Sequence, residues 1–418
     1  MSPAQAGLVE RDAAAAVAAP ATLWTPTYRM LCASIFLIAA HQALLTPAVP
    51  LYVHALGGST ALIGVLLVLF HIVSVASRPI VGHWADTRSV PGVLALGGLI
   101  LCVTGLGHLV PIIAVLAVFG TARGLGWAAV NTSSNALVAH VAPPTRRAET
   151  SSYFNLFQNS AHGVFPALAV WLIGVPEAGF NAVFLLCAAL PLAAAGLALN
   201  MQSRVGTLVA RTTPAPEERP VGRARIYDRR VLLATFLLAC VMWTSPATQS
   251  FLPLHAQERG VFDVGWYYLA NVVAGIAAYA LLGRLFDRIG RSVTIAVGFL
   301  LCTLGIVLLL ALSSVWMLLL AGVLIGLGSA VVASNTMALA IQRADPRQRG
   351  VAFGTYTAAY SLGQGIGALL LGFIAELGGF PAMYGAATAM SALGLVLTLG
   401  RWSSINGRPR ADAPARVT

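Results

Sequence analysis

Arg123 stands out first for its chemistry. It sits midway along an apolar stretch, 112–139, where a guanidinium is costly unless it faces water, a partner or a ligand. Helical spacing puts Trp127, Asn131 and Ser134 or Asn135 on the same stripe. Arg123 could bind an anionic group or respond to a proton; the plainer alternative is a structural arginine bonded to carbonyls. Histidine supplies the other titratable candidates, because it changes charge near neutral pH. His41 adjoins Gln42, and His162 continues a stripe with Asn155 and Asn159. His71 stands alone and reads as a packing residue. No Asp or Glu falls in the middle of an apolar stretch; Glu149, Asp263 and Glu376 sit near ends. Further polar stripes hold Tyr356, Tyr360 and Gln364, each four apart, then Trp243, Thr244, Thr248 and Gln249, and the pair Ser334 and Asn335. Trp127, Trp243, Trp266 and Tyr267 could stack on an organic solute or anchor at a membrane surface, with Trp266 and Tyr267 read as anchors.

Other chemistries have no residues to carry them. No nucleophile triad, metal-ligand cluster or phosphate-cradling loop stands out, so an enzyme, a metal centre, a cofactor and direct use of ATP are not expected. The five cysteines, Cys32, Cys102, Cys187, Cys240 and Cys302, all lie in apolar segments without ligand spacing and read as small packing residues.

The chain that must position these groups has 418 residues, 58% hydrophobic and only 9% charged. Soluble domains carry about 25% charged residues, so a water-facing surface cannot be built and a polytopic membrane protein is expected. Apolar spans read at about 29–53, 59–82, 91–110, 112–139, 149–174 and 179–200, then 230–254, 262–284, 292–312, 315–341, 349–375 and 380–401. Residues 1–27 form an Ala-rich tail expected to be disordered. Residues 201–229 form a polar linker containing Pro214, Pro216 and Pro220, and 403–418 a polar tail. The two span-bearing regions are therefore 28–200 and 230–402.

All 25 cationic residues are arginine, and the net charge is +11. In a soluble protein this would suggest nucleic acid; here it follows topology. Twenty-three of the 25 arginines fall in alternate loops and tails, leaving Arg259 on the opposite side and Arg123 within a span. Lys and Arg mark cytoplasmic loops. Both termini are therefore expected in the cytoplasm and the chain in the inner (plasma) membrane, with twelve crossings.

The halves repeat at an offset of about 202: Gly124-Leu125-Gly126 with Gly326-Leu327-Gly328, Pro144 and Arg147 with Pro346 and Arg349, and His162-Gly163 with Gln364-Gly365. At an offset of 201, Gly82 and Asp86 correspond to Gly283 and Asp287. Parallel repeats of this kind build transporters that rock about a midplane site.

With these residues in view, residues 28–402 resemble the major facilitator superfamily. Its loop motif, G-x-x-x-D-[RK]-x-G-R-[RK], is matched after the eighth span by Gly283, Asp287, Arg288, Gly290 and Arg291, with Ser292 departing. The copy after the second span keeps Gly82 and Asp86, then reads Thr87-Arg88-Ser89-Val90, with Arg88 shifted. The family's antiporter signature, G-x-x-x-G-P-x-x-G-G, survives only as Pro166.

The resemblance implies an all-helical fold of two pseudo-symmetric six-helix bundles. It implies a secondary transporter working by alternating access, with proton-coupled efflux of a small organic solute as the first expectation. An uptake carrier, a facilitator or a non-transporting sensor are the rivals. The loop residues would gate the cytoplasmic side. His41, Gln42, Arg123, Trp127, Asn131, Asn135, Asn155, Asn159, His162, Trp243, Gln249, Asn335, Tyr356, Tyr360 and Gln364 would line the cavity. The expected partners are the lipid bilayer, a small-molecule substrate and protons, with no nucleic acid, for a monomer.

Overall fold

The computed structural model describes residues 23–176, 179–205, 228–278, 290–344, 349–402 and 405. Among the described residues the chain is helical and has no strand. The first half contains α1 (Pro26–Ala55), α2 (Thr60–Thr87), α3 (Val90–Gly107), α4 (Ile113–Val141), α5 (Arg147–Gly174) and α6 (Gly179–Val205). The second contains α7 (Leu232–Gln249), α8 (Leu252–Glu258), α9 (Gly265–Ala277), α10 (Arg291–Leu310), α11 (Val315–Arg343) and α12 (Arg349–Gly400).

Short polar side chains close the first turns. Thr25 accepts from the Tyr28 N–H, Ser59 from Leu62 and Ser89 from Gly92. These caps satisfy N–H groups that an apolar surrounding would leave without a partner. The helices do not map one-to-one onto crossings. α7 and α8 together make the seventh, interrupted where the Ser250 and Phe251 N–H groups both turn to the Pro246 carbonyl. α9 is the described part of the eighth. α12 holds two crossings folded back at Gly379, whose φ of 72° suits a residue without Cβ. Nine helices among the described residues are long and apolar enough to span a membrane. α5 is not among them, since Asn155, Asn159 and His162 lower its hydropathy. The architecture is the expected one, twelve crossings in two six-helix bundles.

In the N-terminal bundle α1 packs on α5 and α6, α3 on α4 and α6, and α2 on α4. In the C-terminal bundle α12 packs on α7 and α10, and α11 on α9 and α10. Three pairs among the described residues cross between bundles: α2 with α12, α5 with α9 and, less extensively, α1 with α8.

The cores are joined at one end and separate at the other. Toward the arginine-poor end, one apolar cluster takes Leu44, Leu51, Ile63 and Phe184 from the N-terminal bundle and Phe251, Leu318, Phe380 and Tyr384 from the C-terminal one. Toward the arginine-rich end the two largest clusters each stay within one bundle. One holds Leu31, Val81, Leu137 and Phe154; the other holds Val231, Leu237, Leu339 and Tyr356.

Small residues allow the close approach at the joined end. A Cβ on Gly64 would lie 2.5 Å from the Ala368 carbonyl oxygen, and one on Gly372 would lie 2.7 Å from that of Thr60. On the second seam, a Cβ on Gly163 would lie 2.9 Å from Val272, and one on Gly265 3.2 Å from Ala167. Inside the C-terminal bundle Gly326 presses its backbone on the Asn271 carbonyl. Gly326→Ala should therefore destabilise the fold by about 1–3 kcal/mol, the usual cost of overpacking. Gly354→Ala, in open space on α12, should not. Thermal unfolding of the two variants in detergent checks this, and equal melting temperatures would contradict it.

Candidate functional site

Arg123 is carried by the middle of α4, where Gly124 lets the helix press on α2: a Cβ there would lie 2.5 Å from the Phe70 carbonyl. That contact places the Arg123 guanidinium over the Phe70 ring, 4.5 Å from its centroid, an attractive cation–π arrangement. Arg123 is only 4% exposed. Its Nε and Nη1 are buried and lack a hydrogen-bond partner among the described residues. A buried, unpaired cation is among the most costly groups a fold can hold.

His41, on α1, is fully buried, with Nδ1 2.6 Å from the Cys187 carbonyl on α6 and Nε2 unpartnered. The Gln42 Oε1 beside it is also buried without a partner. His108, which nothing in its sequence position had marked, is buried at the end of α3 with Nδ1 2.6 Å from the Thr104 carbonyl. Arg123 acts electrostatically on both His41 and His108. The N-terminal bundle thus buries a guanidinium with two unpartnered donors, together with two unpartnered acceptors, the His41 Nε2 and the Gln42 Oε1. His71 stands at the seam: half-buried, edge-on to Phe70, it packs where Gly365 of α12 leaves room.

The C-terminal bundle contributes uncharged groups. Gln364 donates from Nε2 to the Ser245 Oγ at 3.3 Å, joining α12 to α7. Trp243 is nearly buried, at 9% exposure. Gln249 is half-buried, and its carbonyl accepts from the Tyr268 hydroxyl at 2.6 Å. Tyr356 faces its own bundle: its hydroxyl donates to the Ala333 carbonyl and shares a hydrogen bond with Thr336, each at 3.0 Å. It braces α11 against α12. Tyr360, one turn on, is 49% exposed.

Polar residues nearer the arginine-rich end remain open. Asn135, Asn155 and Asn159 are exposed, while Trp127, Asn131, His162 and Asn335 are half-buried. Asn135 and Asn159 each donate to a carbonyl one turn back, at 2.8 Å, from Asn131 and Asn155 respectively. Asn335 does the same to Val331 at 2.9 Å. Trp266 is 54% exposed, as an anchor would be, but Tyr267 is buried at 1% against Tyr268, so the anchor reading fails for it.

Among the described residues, hydrogen bonds tie the bundles across the seam at two places. At the arginine-poor end, the Glu376 Oε2 on α12 accepts from the Thr60 N–H and hydroxyl, both at 2.9 Å, and from the Ala61 N–H at 3.4 Å. A carboxylate from one bundle therefore caps the first turn of α2 in the other. Further along, the Arg78 Nη2 donates to the Ser361 Oγ at 3.0 Å. Neither was marked as a gate from the sequence, because both depend on a partner about 280 to 320 residues away.

The motif residues are partly visible. Gly82 is half-buried, and Asp86 and Arg88 are exposed; among the described residues Asp86 makes no hydrogen bond. Gly283, Asp287 and Arg288 lie outside the described residues. Gly290, with a φ of 96°, leads into α10, and the Arg291 guanidinium donates to the Gln342 side chain. Between α4 and α5 the Arg146 guanidinium holds the exposed Glu149 carboxyl below the usual carboxylate range.

Comparison with known proteins follows this geometry. The model of the Major Facilitator Superfamily matches residues 31–262 and 260–416. An uncharacterized MFS-type transporter, YhhS of Escherichia coli K12, is 24% identical over 360 residues, covering 84% of this chain and 86% of that one. Another, MJ1560 of Methanocaldococcus jannaschii, is 21% identical over 346 residues, covering 81% and 89%. Among solved structures, a variant of the peptide transporter POT superposes with a TM-score of 0.74 at 15% identity, covering 91% and 94%. The nucleoside transporter NupG does so with a TM-score of 0.70 at 14% identity, covering 92% and 100%.

If Glu376 latches the seam, Glu376→Gln should loosen it. Spin labels at the exposed Ile112 and Trp316, in opposite bundles at the arginine-poor end, should then shift to longer distances. An unchanged distance distribution would remove Glu376 from the latch.

Proposed function

The chain belongs to the major facilitator superfamily and is a multi-pass membrane transporter; on that premise we propose that it carries a small organic solute with an anionic group by alternating access, exporting it against proton entry. The observation that supports alternating access is the asymmetry of the cores: one shared cluster at the arginine-poor end, two separate clusters at the arginine-rich end. With the arginine-rich end in the cytoplasm, this is a state closed outside and parted inside. The exposed Asn135, Asn155, Asn159 and Tyr360 fit the parted side. Rocking the bundles would break the Glu376 clasp and bring the loops around Asp86 together.

Arg123 sets the proposed substrate class. Its unpartnered donors are the strongest unmet electrostatic demand found among the described residues, and a substrate carboxylate or phosphate would meet it with charge-assisted hydrogen bonds. In the C-terminal bundle Trp243, Gln364 and Ser245 are apolar or uncharged, suiting the rest of an amphiphilic solute. The structurally similar POT and NupG are a peptide and a nucleoside transporter, whose solutes are small organic molecules. The proton route is proposed through His41 or His162, since no carboxylate stands in the middle of a span.

Flux in proteoliposomes, screened over a panel of organic anions with and without a pH gradient, tests the reading. Arg123→Ala should cut transport about thirtyfold or more while the protein still inserts and folds, because breaking a buried charge pair costs ~2–5 kcal/mol. Undiminished flux would exclude Arg123 from substrate binding. Accumulation along the inward gradient would make the protein an uptake carrier instead. If His41 or His162 carries the proton, the His→Gln variant should flatten the pH dependence of flux; profiles unchanged in both variants would reject that route.

A further inference from the structure

The first helices of the two halves run in a local register of 203 residues, in which Pro50-Leu51 corresponds to Pro253-Leu254. In that register they share one pattern of exposure. From Ile38 to Val53 every residue of α1 is buried except Gln42 and Thr46, which are half-buried. From Val241 to Ala256, through α7 and α8, every residue is buried except Ser245 and Gln249, also half-buried. These are the same two positions of the repeat. Each pair is four apart and so shares one face of its helix. Each helix is thus closed all round but for one polar opening.

Their place in the fold says what the openings face. Leu44, Leu45 and Ala48 of α1 enter the apolar cluster that joins the bundles, as do Trp243 and Ala247 of α7. Ile38 and Val241, just toward the arginine-rich end, belong to the separate clusters of their own bundles. The pairs therefore stand where the joined core gives way to the parted one. Polar side chains at that depth face protein or a water-filled hollow rather than lipid.

None of the four side chains is charged. The Thr46 hydroxyl donates to the Gln42 carbonyl at 3.0 Å, which leaves its oxygen as an acceptor. The Ser245 Oγ accepts from Gln364 at 3.3 Å, which leaves its O–H to donate. The Gln42 Oε1 is an acceptor with no partner among the described residues. The Gln249 amide, a donor and an acceptor, makes no hydrogen bond among them. A carboxylate only accepts and an ammonium only donates, so either would leave part of this set unmet; a hydroxyl or an amide does both. We propose that Gln42, Thr46, Ser245 and Gln249 form a subsite for an uncharged hydroxyl or amide group of the transported solute. The subsite rests on the alternating-access reading above, and it adds a neutral hydrogen-bonding group to the anionic end and apolar body of that solute.

Thiol labelling of the purified full-length protein in detergent tests it. Thr46→Cys and Ser245→Cys should react with a hydrophilic methanethiosulfonate above the wild-type background, and Leu45→Cys and Ala247→Cys should not. Equal labelling of all four, or of none, would overturn the subsite. Protection of Thr46→Cys is then compared within matched acids: gluconate and hexanoate, 4-hydroxyphenylacetate and phenylacetate, hippurate and 4-phenylbutyrate. In at least one pair the hydroxyl- or amide-bearing acid should protect at about tenfold lower concentration. Gln249→Leu should bring that pair level, and the smaller change Ser245→Ala should narrow the same preference. Equal protection within every pair, or a preference that survives both substitutions, would overturn the subsite. Arg123→Ala separates the two readings. Loss of protection by both members of a pair supports the anionic substrate class whatever becomes of the subsite. A hydroxyl or amide preference that outlasts Arg123→Ala would sink the anionic class and leave the subsite standing. Protection by no acid of any pair would overturn both.

Discussion

Two helix bundles in a bilayer gain little by hiding apolar surface from each other, because lipid tails are as apolar as leucine. What holds them must be close packing and hydrogen bonds; the closest backbone approach and the Glu376 cap lie at the arginine-poor end, with the Arg78–Ser361 bond further along. Gly64 and Gly372 let α2 and α12 approach at backbone distance, and Glu376 ties the first turn of α2 to α12. Every close contact in this seam is replaceable by lipid or water at modest cost. A seam made this way can open without unfolding either bundle, since each keeps its own core at the other end.

The same economy shows in how polar groups are treated within the bundles. Most are satisfied locally: Ser133, Ser134, Thr336 and Asn335 each bond a carbonyl about one turn back. Against that background the loose ends around Arg123 are conspicuous. Its Nε and Nη1, the His41 Nε2 and the Gln42 Oε1 are all buried without partners among the described residues. The Phe70 ring offsets part of the cost but cannot accept a directed hydrogen bond. A buried guanidinium with unmet donors is expensive to maintain for packing alone.

Most of the architecture was legible because membrane topology is written in composition and charge. Runs of apolar residues set the crossings, and the alternation of arginine-rich loops fixed their parity. The repeat exposed by Gly124-Leu125-Gly126 and Gly326-Leu327-Gly328 revealed two equivalent halves, and both triplets lie where helices touch at backbone distance. What stayed hidden depends on partners remote in sequence. Nothing around Glu376 announces that it caps Thr60. Helical spacing put Tyr356 with Tyr360 and Gln364, but not its hydroxyl on Thr336 of the neighbouring helix. Tyr267 looked like its neighbour Trp266, yet one turns inward and the other outward. Periodicity assigns a face; only packing decides whether that face meets water, lipid or another helix.

The repeat also shows where the halves diverge, and the divergence is chemical. At the offset of 202 that aligns the glycine triplets, Arg123 corresponds to Ile325 and His41 to Trp243. Phe70, which covers the arginine, corresponds to Val272, which packs against Gly163 on the opposite seam. Duplication therefore left two bundles of one shape with unlike interiors: a cationic one in the first half and an aromatic, uncharged one in the second. A symmetric pair of cationic interiors would repel across the midplane and favour the parted state on both sides. Under the proposed substrate class, charge in one half alone would let the bundles close over a bound anion and would orient an amphiphilic solute with its charged end toward α4 and its apolar body toward α7 and α12.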